Sequence, residues 1–143
     1  MTPDVAAAFD AFPAELRPDF LALRRLILDI AAADPRIDIT EALRWGQPAY
    51  LPGRTGTAVR LGPSKDGRAA LLVHCGTTLI ADHRMLFPDA MDYEGNRAAI
   101  PGDEAAARAL IHAALTYRIG GRRGAAAGAR PGGPQAARGQ RPA

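Results

Sequence analysis

Cysteine and serine are almost absent from this chain, which contains one of each, Cys75 and Ser64. A lone cysteine cannot form an internal disulfide, and an unpaired thiol is typical of a protein kept in a reducing compartment. Ser64 lies among turn residues, and His74, the direct neighbour of Cys75, would point to the opposite face of a strand. No glycine-rich phosphate loop follows a strand pattern. These absences predict a cytoplasmic protein without enzymatic activity.

Long apolar segments are also missing. The longest mainly apolar stretch, residues 20–33, is interrupted by Arg24, Arg25 and Asp29 and is too short to cross a bilayer. The first residues include an acid, Asp4, and no apolar segment typical of a secretory signal follows it. We therefore expect neither a membrane span nor secretion.

Lysine occurs once, whereas arginine occurs 17 times, and the net charge is +3. Five arginines and no acid lie in residues 120–143, and removing these five charges leaves −2 for residues 1–119. The same 24 residues contain seven Gly, seven Ala and three Pro and no large apolar residue. Burial of apolar surface therefore cannot offset the conformational entropy that this segment would lose on folding. We predict one domain over residues 1–119 and a disordered basic tail over residues 120–143. Weak association with nucleic acid through this tail is one hypothesis, although a compositional origin of the arginines is favoured.

The apolar residues that are present follow helical spacing in two segments. The first predicts an amphipathic helix that ends at Asp34-Pro35, because a residue before proline is forced out of the helical region. The second begins with Asp103 as the N-cap and is predicted to end at Gly120-Gly121. A shorter helix over residues 4–12 is expected to precede the first. The buried stripe of the first helix comprises Leu16, Phe20, Leu23, Ile27 and Ile30.

Between these helices the apolar period changes to two. Residues 57–61 and 69–73 are predicted to form an antiparallel pair, with Arg60 pointing outward. Gly95-Asn96 is a favourable hairpin turn that would set Glu94 opposite Arg97. Residues 77–87 are expected to contain a short helix. The predicted fold is α+β, an antiparallel sheet of about five strands with the N-terminal and C-terminal helices packed on it.

The segment Trp45-Gly46-Gln47-Pro48-Ala49-Tyr50 allows two interpretations. Gly46 permits a turn and Pro48 keeps Gln47 extended, which predicts a rigid corner carrying two aromatic rings. The corner could bind a ligand, with Trp45 and Tyr50 as walls and Gln47 as the hydrogen-bonding group. Alternatively, Trp45 fills the core between the first long helix and the sheet. Since the chain has one Trp and eight aromatic residues in all, the packing interpretation is favoured.

Three segments in series resemble a known family: Leu43-Arg44-Trp45-Gly46-Gln47-Pro48-Ala49-Tyr50, Thr57-Ala58-Val59-Arg60-Leu61-Gly62 and Leu72-Val73-His74-Cys75. This is the YdhG-like family, small bacterial proteins known mostly as a domain of unknown function. The likeness spans residues 5–118, and the Trp-Gly-x-Pro-x-Tyr element is its most specific motif. The resemblance implies helices packed on an antiparallel sheet, and it assigns no catalytic residues.

The resemblance also implies a hypothesis of iron handling, because some members of the family look like frataxin-type iron chaperones. Iron held for transfer favours hard oxygen ligands, and the candidate ligands are Asp82, Asp89 and Asp92. A solvated acidic face is the commoner explanation of such residues. We therefore predict a non-enzymatic binding or accessory domain without a cofactor, whose partner is an unknown small molecule or protein. Iron binding through surface carboxylates is the alternative.

Overall fold

The computed structural model describes residues 1–74, 76–95, 97–99 and 103–119, and within these ranges the chain forms four α-helices and six strands. The helices are α1 (Pro3–Asp10), α2 (Arg17–Ala33), α3 (Leu79–Leu86) and α4 (Glu104–Leu115). The strands are β1 (Thr40–Arg44), β2 (Gln47–Leu51), β3 (Val59–Pro63), β4 (Ala69–Val73), β5 (Asp92–Glu94) and β6 (Arg97–Ala99). A short 3-10 turn, Gly53–Thr55, follows β2.

The strands form one antiparallel sheet in the order β1-β2-β3-β4-β6-β5. The predicted α+β class is confirmed, but the estimate of about five strands was one too low. The error lies in the segment around Trp45, which is a β-hairpin and not an isolated corner. Strand β1 carries Glu41 and Arg44 in five residues, so it lacks the apolar alternation by which strands are recognised.

Both long helices form where the apolar spacing predicted them. Helix α2 has Pro18 in its first turn and ends at Ala33, directly before Asp34-Pro35. Asp103 caps α4, since its Oδ1 accepts a 3.0 Å hydrogen bond from the Ala106 amide. Helix α4 ends at Leu115, earlier than the predicted stop.

Two strand pairs also agree with the sequence. Strands β3 and β4 are antiparallel, with Val59 opposite Val73 and Arg60 opposite Leu72. In the β5–β6 pair, Glu94 is opposite Arg97, which is the register that the hairpin turn predicted. Helix α3 lies within residues 77–87 as expected.

The two faces of the sheet have different environments because side chains alternate along each strand. One face packs with buried residues of α1, α2, α3 and α4 in a common hydrophobic core. We call the opposite face the outer face; its buried apolar side chains, Ala49, Ala70 and Leu72, are not part of that core. The sheet residues of the common core are Tyr50, Val59, Leu61, Ala69, Leu71, Val73 and Ala98.

Three predictions concern residues outside the described ranges. These are the disordered tail over residues 120–143, the helix stop at Gly120-Gly121 and the structural role of Cys75.

Candidate functional site

The β1–β2 hairpin places Trp45 at its tip. Arg44 pairs with Gln47, which leaves Trp45-Gly46 as a two-residue turn. Both turn residues have positive φ, 53° and 74° respectively. This left-handed geometry suits the twist of a hairpin and favours Asn-Gly, whereas a bulky residue adopts it at a cost. Trp45 is the one non-glycine residue with positive φ among those that the structure describes.

Trp45 is on the surface, with 83% of its area exposed. The interpretation of Trp45 as a plug of the core is therefore wrong. The turn lies at the end of the sheet, and the indole is not part of the hydrophobic core. Its one described ring contact is with Arg60, whose guanidinium carbon lies 4.8 Å from the ring centroid. This is the geometry of a cation–π interaction.

Gln47 connects this pair to the outer face. Nη1 of Arg60 donates a 2.6 Å hydrogen bond to Oε1 of Gln47, so Arg60 contacts both Gln47 and Trp45. The Gln47 side chain lies across Gly62, because a Cβ atom at position 62 would be 2.7 Å from Gln47 Nε2. Glycine at this position therefore makes room for the amide. We call Arg44, Trp45, Gln47 and Arg60 the Trp45 surface.

The outer face of strands β1 to β4 is free of carboxylates in the described residues. Arg44 is opposite Gln47, and Arg60 is opposite Ala49 and Leu72. The acids of β5 lie at the far edge of the sheet. Arg97 is also on this face, opposite Glu94. The small and apolar outer-face residues are Ala42, Ala49, Leu51, Gly62, Ala70 and Leu72.

Tyr50 is separated from the other two predicted ligand residues. It is three positions from Gln47 on the same strand, so it points to the core side, where it is 0% exposed. Its hydroxyl donates a 2.8 Å hydrogen bond to Oε2 of Glu41. Tyr50 therefore cannot form a wall of a site shared with Trp45, and its inclusion among the candidate ligand residues is corrected.

Arg24 completes the contacts of Glu41. Its Nε and Nη2 atoms donate hydrogen bonds of 2.6 and 3.1 Å to the two oxygens of the carboxylate. Burial acts to raise the pKa of Glu41, but the hydrogen bonds from Arg24 and Tyr50 outweigh it and hold the pKa below its usual value. Burial and the nearby carboxylate raise the pKa of Tyr50 far above its usual value. This cluster joins α2 to the β1–β2 hairpin.

The candidate iron ligands are not brought together. Asp82 accepts a 2.9 Å hydrogen bond from the hydroxyl of Thr78, and Asp92 pairs with Arg68 at 2.6 Å. Across the described ranges, no three His, Cys, Asp or Glu side chains form a group that could hold a metal ion. Asp82, Asp89 and Asp92 therefore do not assemble into a metal site.

Three grooves lie elsewhere on the described part of the surface. One of about 650 Å³ runs between α2 and α4, with Leu23, Leu26 and Ala107 in its lining. A second lies beside α3, with Ile80 and Arg84, and a third lies beside the 3-10 turn, with Arg54 and Arg118. None of these three is lined by Trp45, Gln47 or Arg60.

Comparisons with protein-family models, with curated proteins and with solved structures found no match for this chain. In the described residues, no helix is both long enough and apolar enough to cross a membrane.

Arg60 and Arg44 are the residues of the surface that the sequence did not single out. The alternation of Val59, Arg60 and Leu61 had placed Arg60 outward, but its contact with Trp45 depends on the register between β2 and β3. A usable signal was Trp-Gly in the position of a two-residue hairpin turn between short strands.

Proposed function

We propose that this protein is a non-enzymatic binding domain that contacts its partner through the Trp45 surface. The observation that carries the proposal is the position of Trp45, which is 83% exposed and has a positive φ of 53°. Trp and Arg are the residue types most enriched among those that dominate binding energy in interfaces.

The energetics of the turn support this proposal. A non-glycine residue in the left-handed region destabilises the folded state by about 1 kcal/mol or more. An exposed cation–π contact stabilises it by about 0.5–1 kcal/mol. Trp45 therefore brings the isolated domain little stability while it exposes a large apolar ring. Asn at the same position would satisfy the turn without that exposed surface. A contact made by the ring with a partner accounts for the presence of Trp in this turn.

The same ring offers a direct test, because Trp45 is the only tryptophan of the chain. We would titrate the full chain with nucleotides, single-stranded oligonucleotides, acidic peptides and basic peptides and record the Trp45 emission. We expect at least one class to change the emission saturably, with a dissociation constant below about 1 mM. Arg60→Ala should weaken that binding because it removes the group that contacts both Trp45 and Gln47.

Met85→Ala is the matched control, since Met85 is an equally exposed apolar residue on α3, at 85% exposure. It should leave the affinity unchanged. The proposal fails if no class changes the emission, or if Met85→Ala and Arg60→Ala weaken binding equally.

We also propose that the chain belongs to the YdhG-like family and works in the cytoplasm. The quoted segments, above all Trp45 to Tyr50, support the family, and the α+β fold agrees with what that resemblance implies. The single cysteine supports a reducing compartment.

A further inference from the structure

The outer face carries two arginines near Trp45. Arg44 and Arg60 lie near the hairpin tip. The middle of the face has only small residues, Ala49, Gly62 and Ala70. Arg44 forms no ion pair with the residues that the structure describes; its Nη1 donates to the carbonyl of its neighbour Leu43. Its positive charge is therefore not cancelled by a carboxylate of the domain.

From this arrangement we infer that single-stranded nucleic acid is the partner of the Trp45 surface, an inference that rests on the proposed binding function. One face of the indole is next to the Arg60 guanidinium, and the 83% exposure of Trp45 leaves the ring accessible to a base. A base stacks on an aromatic ring irrespective of its sequence, and arginines near the ring neutralise the phosphates on either side. Arg44 is in position for that role, and Arg60 adds positive charge beside the ring.

The exposed ring favours a nucleic acid over an acidic peptide. A peptide gains specificity by placing side chains in pockets, and none of the three grooves described above includes Trp45. A stacked base needs only an open planar surface. A single strand also fits better than a duplex, because the bases of a duplex are already stacked on one another.

The arginines of residues 120–143 also favour a polyanion. Residues 1–119 have a net charge of −2, which would oppose the approach of a polyanion, but residues 120–143 add five arginines and no acid. We expect these arginines to strengthen binding to any polyanion and to raise its salt dependence. They cannot provide an aromatic stacking contact, because the tail contains no aromatic residue.

The test uses the full chain and an oligonucleotide of about twelve nucleotides at about 50 mM salt. We expect the oligonucleotide to quench Trp45 emission saturably, which reports stacking without any variant. In anisotropy measurements with a labelled oligonucleotide, Trp45→Ala should weaken binding about 10-fold or more. Arg44→Gln should lower the slope of log affinity against log salt by about 0.7. Met85→Ala should change neither value.

Changing all five tail arginines to Gln separates the tail from the face. That variant should bind more weakly yet retain the quenching of Trp45 by the oligonucleotide. The inference is overturned if Trp45→Ala binds as tightly as the unmodified chain, which would assign the binding to the tail alone. It is also overturned if a poly-glutamate peptide quenches Trp45 and the oligonucleotide does not, although the proposed binding function would then stand.

Discussion

The hydroxyl of Tyr50 donates a 2.8 Å hydrogen bond to Oε2 of Glu41, its partner across the β1–β2 pair. Arg24 binds the same carboxylate from α2. Through these contacts, the hairpin that presents Trp45 on the outer face is fixed to the helical layer on the other side. The exposed surface and the buried cluster are therefore two faces of one structural element.

Tyr50→Phe should destabilise the domain by about 1.5–3 kcal/mol, because it removes a hydrogen bond to a charged group and leaves the ring in place. Chemical denaturation followed by circular dichroism measures the change. The matched control is Tyr117→Phe, since the hydroxyl of Tyr117 only accepts a longer, exposed hydrogen bond of 3.2 Å from the Thr78 amide. Equal losses in the two variants would contradict the role assigned to the Glu41 cluster.

Gly56→Ala should destabilise the domain by about 3 kcal/mol or more through steric overlap. A Cβ atom at position 56 would lie 2.3 Å from the carbonyl oxygen of Ala114 and 2.4 Å from the carbonyl carbon of Leu115. Both are backbone atoms at the end of α4, which cannot move aside as a flexible side chain can. The φ of Gly56 is −163°, an extended value that alanine adopts freely, so the effect is one of space alone.

Gly67→Ala provides the comparison in a thermal melt. Gly67 has a φ of 80°, and a Cβ atom added there would meet no other atom within 4 Å. This variant should therefore lose only about 1 kcal/mol, through backbone conformation alone. A smaller loss in Gly56→Ala than in Gly67→Ala would show that α4 does not pack against residue 56 as described.

His83 should make the domain less stable in mild acid. The side chain is 4% exposed, and its Nε2 has no hydrogen-bond partner in the described part of the chain. Burial lowers the pKa of His83, and a backbone hydrogen bond at Ala106 opposes this only in part. The unfolded chain, with a His pKa near 6.5, therefore binds the proton more readily than the folded domain. Stability is full above pH 6.5 and falls as the pH drops below it, by at most about 1.4 kcal/mol per pH unit.

Denaturation curves between pH 5 and 8 check this sign when the unmodified chain is compared with His83→Leu. The variant has no titrating group at this position, so the difference between the two stability curves should grow toward low pH in favour of the variant. His74→Gln is the control, because His74 is exposed and its Nδ1 accepts a hydrogen bond from the Gly76 amide. A difference that is flat with pH would contradict the prediction.

Local signals predicted much of the fold, and the errors have a common physical origin. The spacing of apolar residues in α2, the Asp103 cap and the Gly95-Asn96 turn all act within a few residues, so the sequence contains them directly. The side of the sheet on which Trp45 and Tyr50 lie depends on how β1, β2 and β3 pair. A shift of one residue in this pairing exchanges the two faces of a strand. The scarcity of aromatic residues therefore favoured Trp45 in the core. The separate interpretation of a rigid corner grouped Tyr50 with Trp45 and Gln47, which lie on the other side of the strand.

Trp45→Asn should leave the free energy of unfolding within about 1 kcal/mol of the original value or raise it slightly. Asn tolerates the positive φ of this position and forms the favoured turn with Gly46, which offsets the loss of the contact with Arg60.

A core plug would behave differently, since replacing a buried Trp by a small residue costs about 3–5 kcal/mol. Denaturation followed by far-UV circular dichroism distinguishes these outcomes, because this variant lacks the fluorescent ring. Gly46→Ala is the companion variant: the φ of 74° at position 46 favours glycine, so this variant should lose about 1 kcal/mol, more than Trp45→Asn. A large loss in Trp45→Asn would contradict the exposed position of the ring and remove the basis of the proposed binding surface.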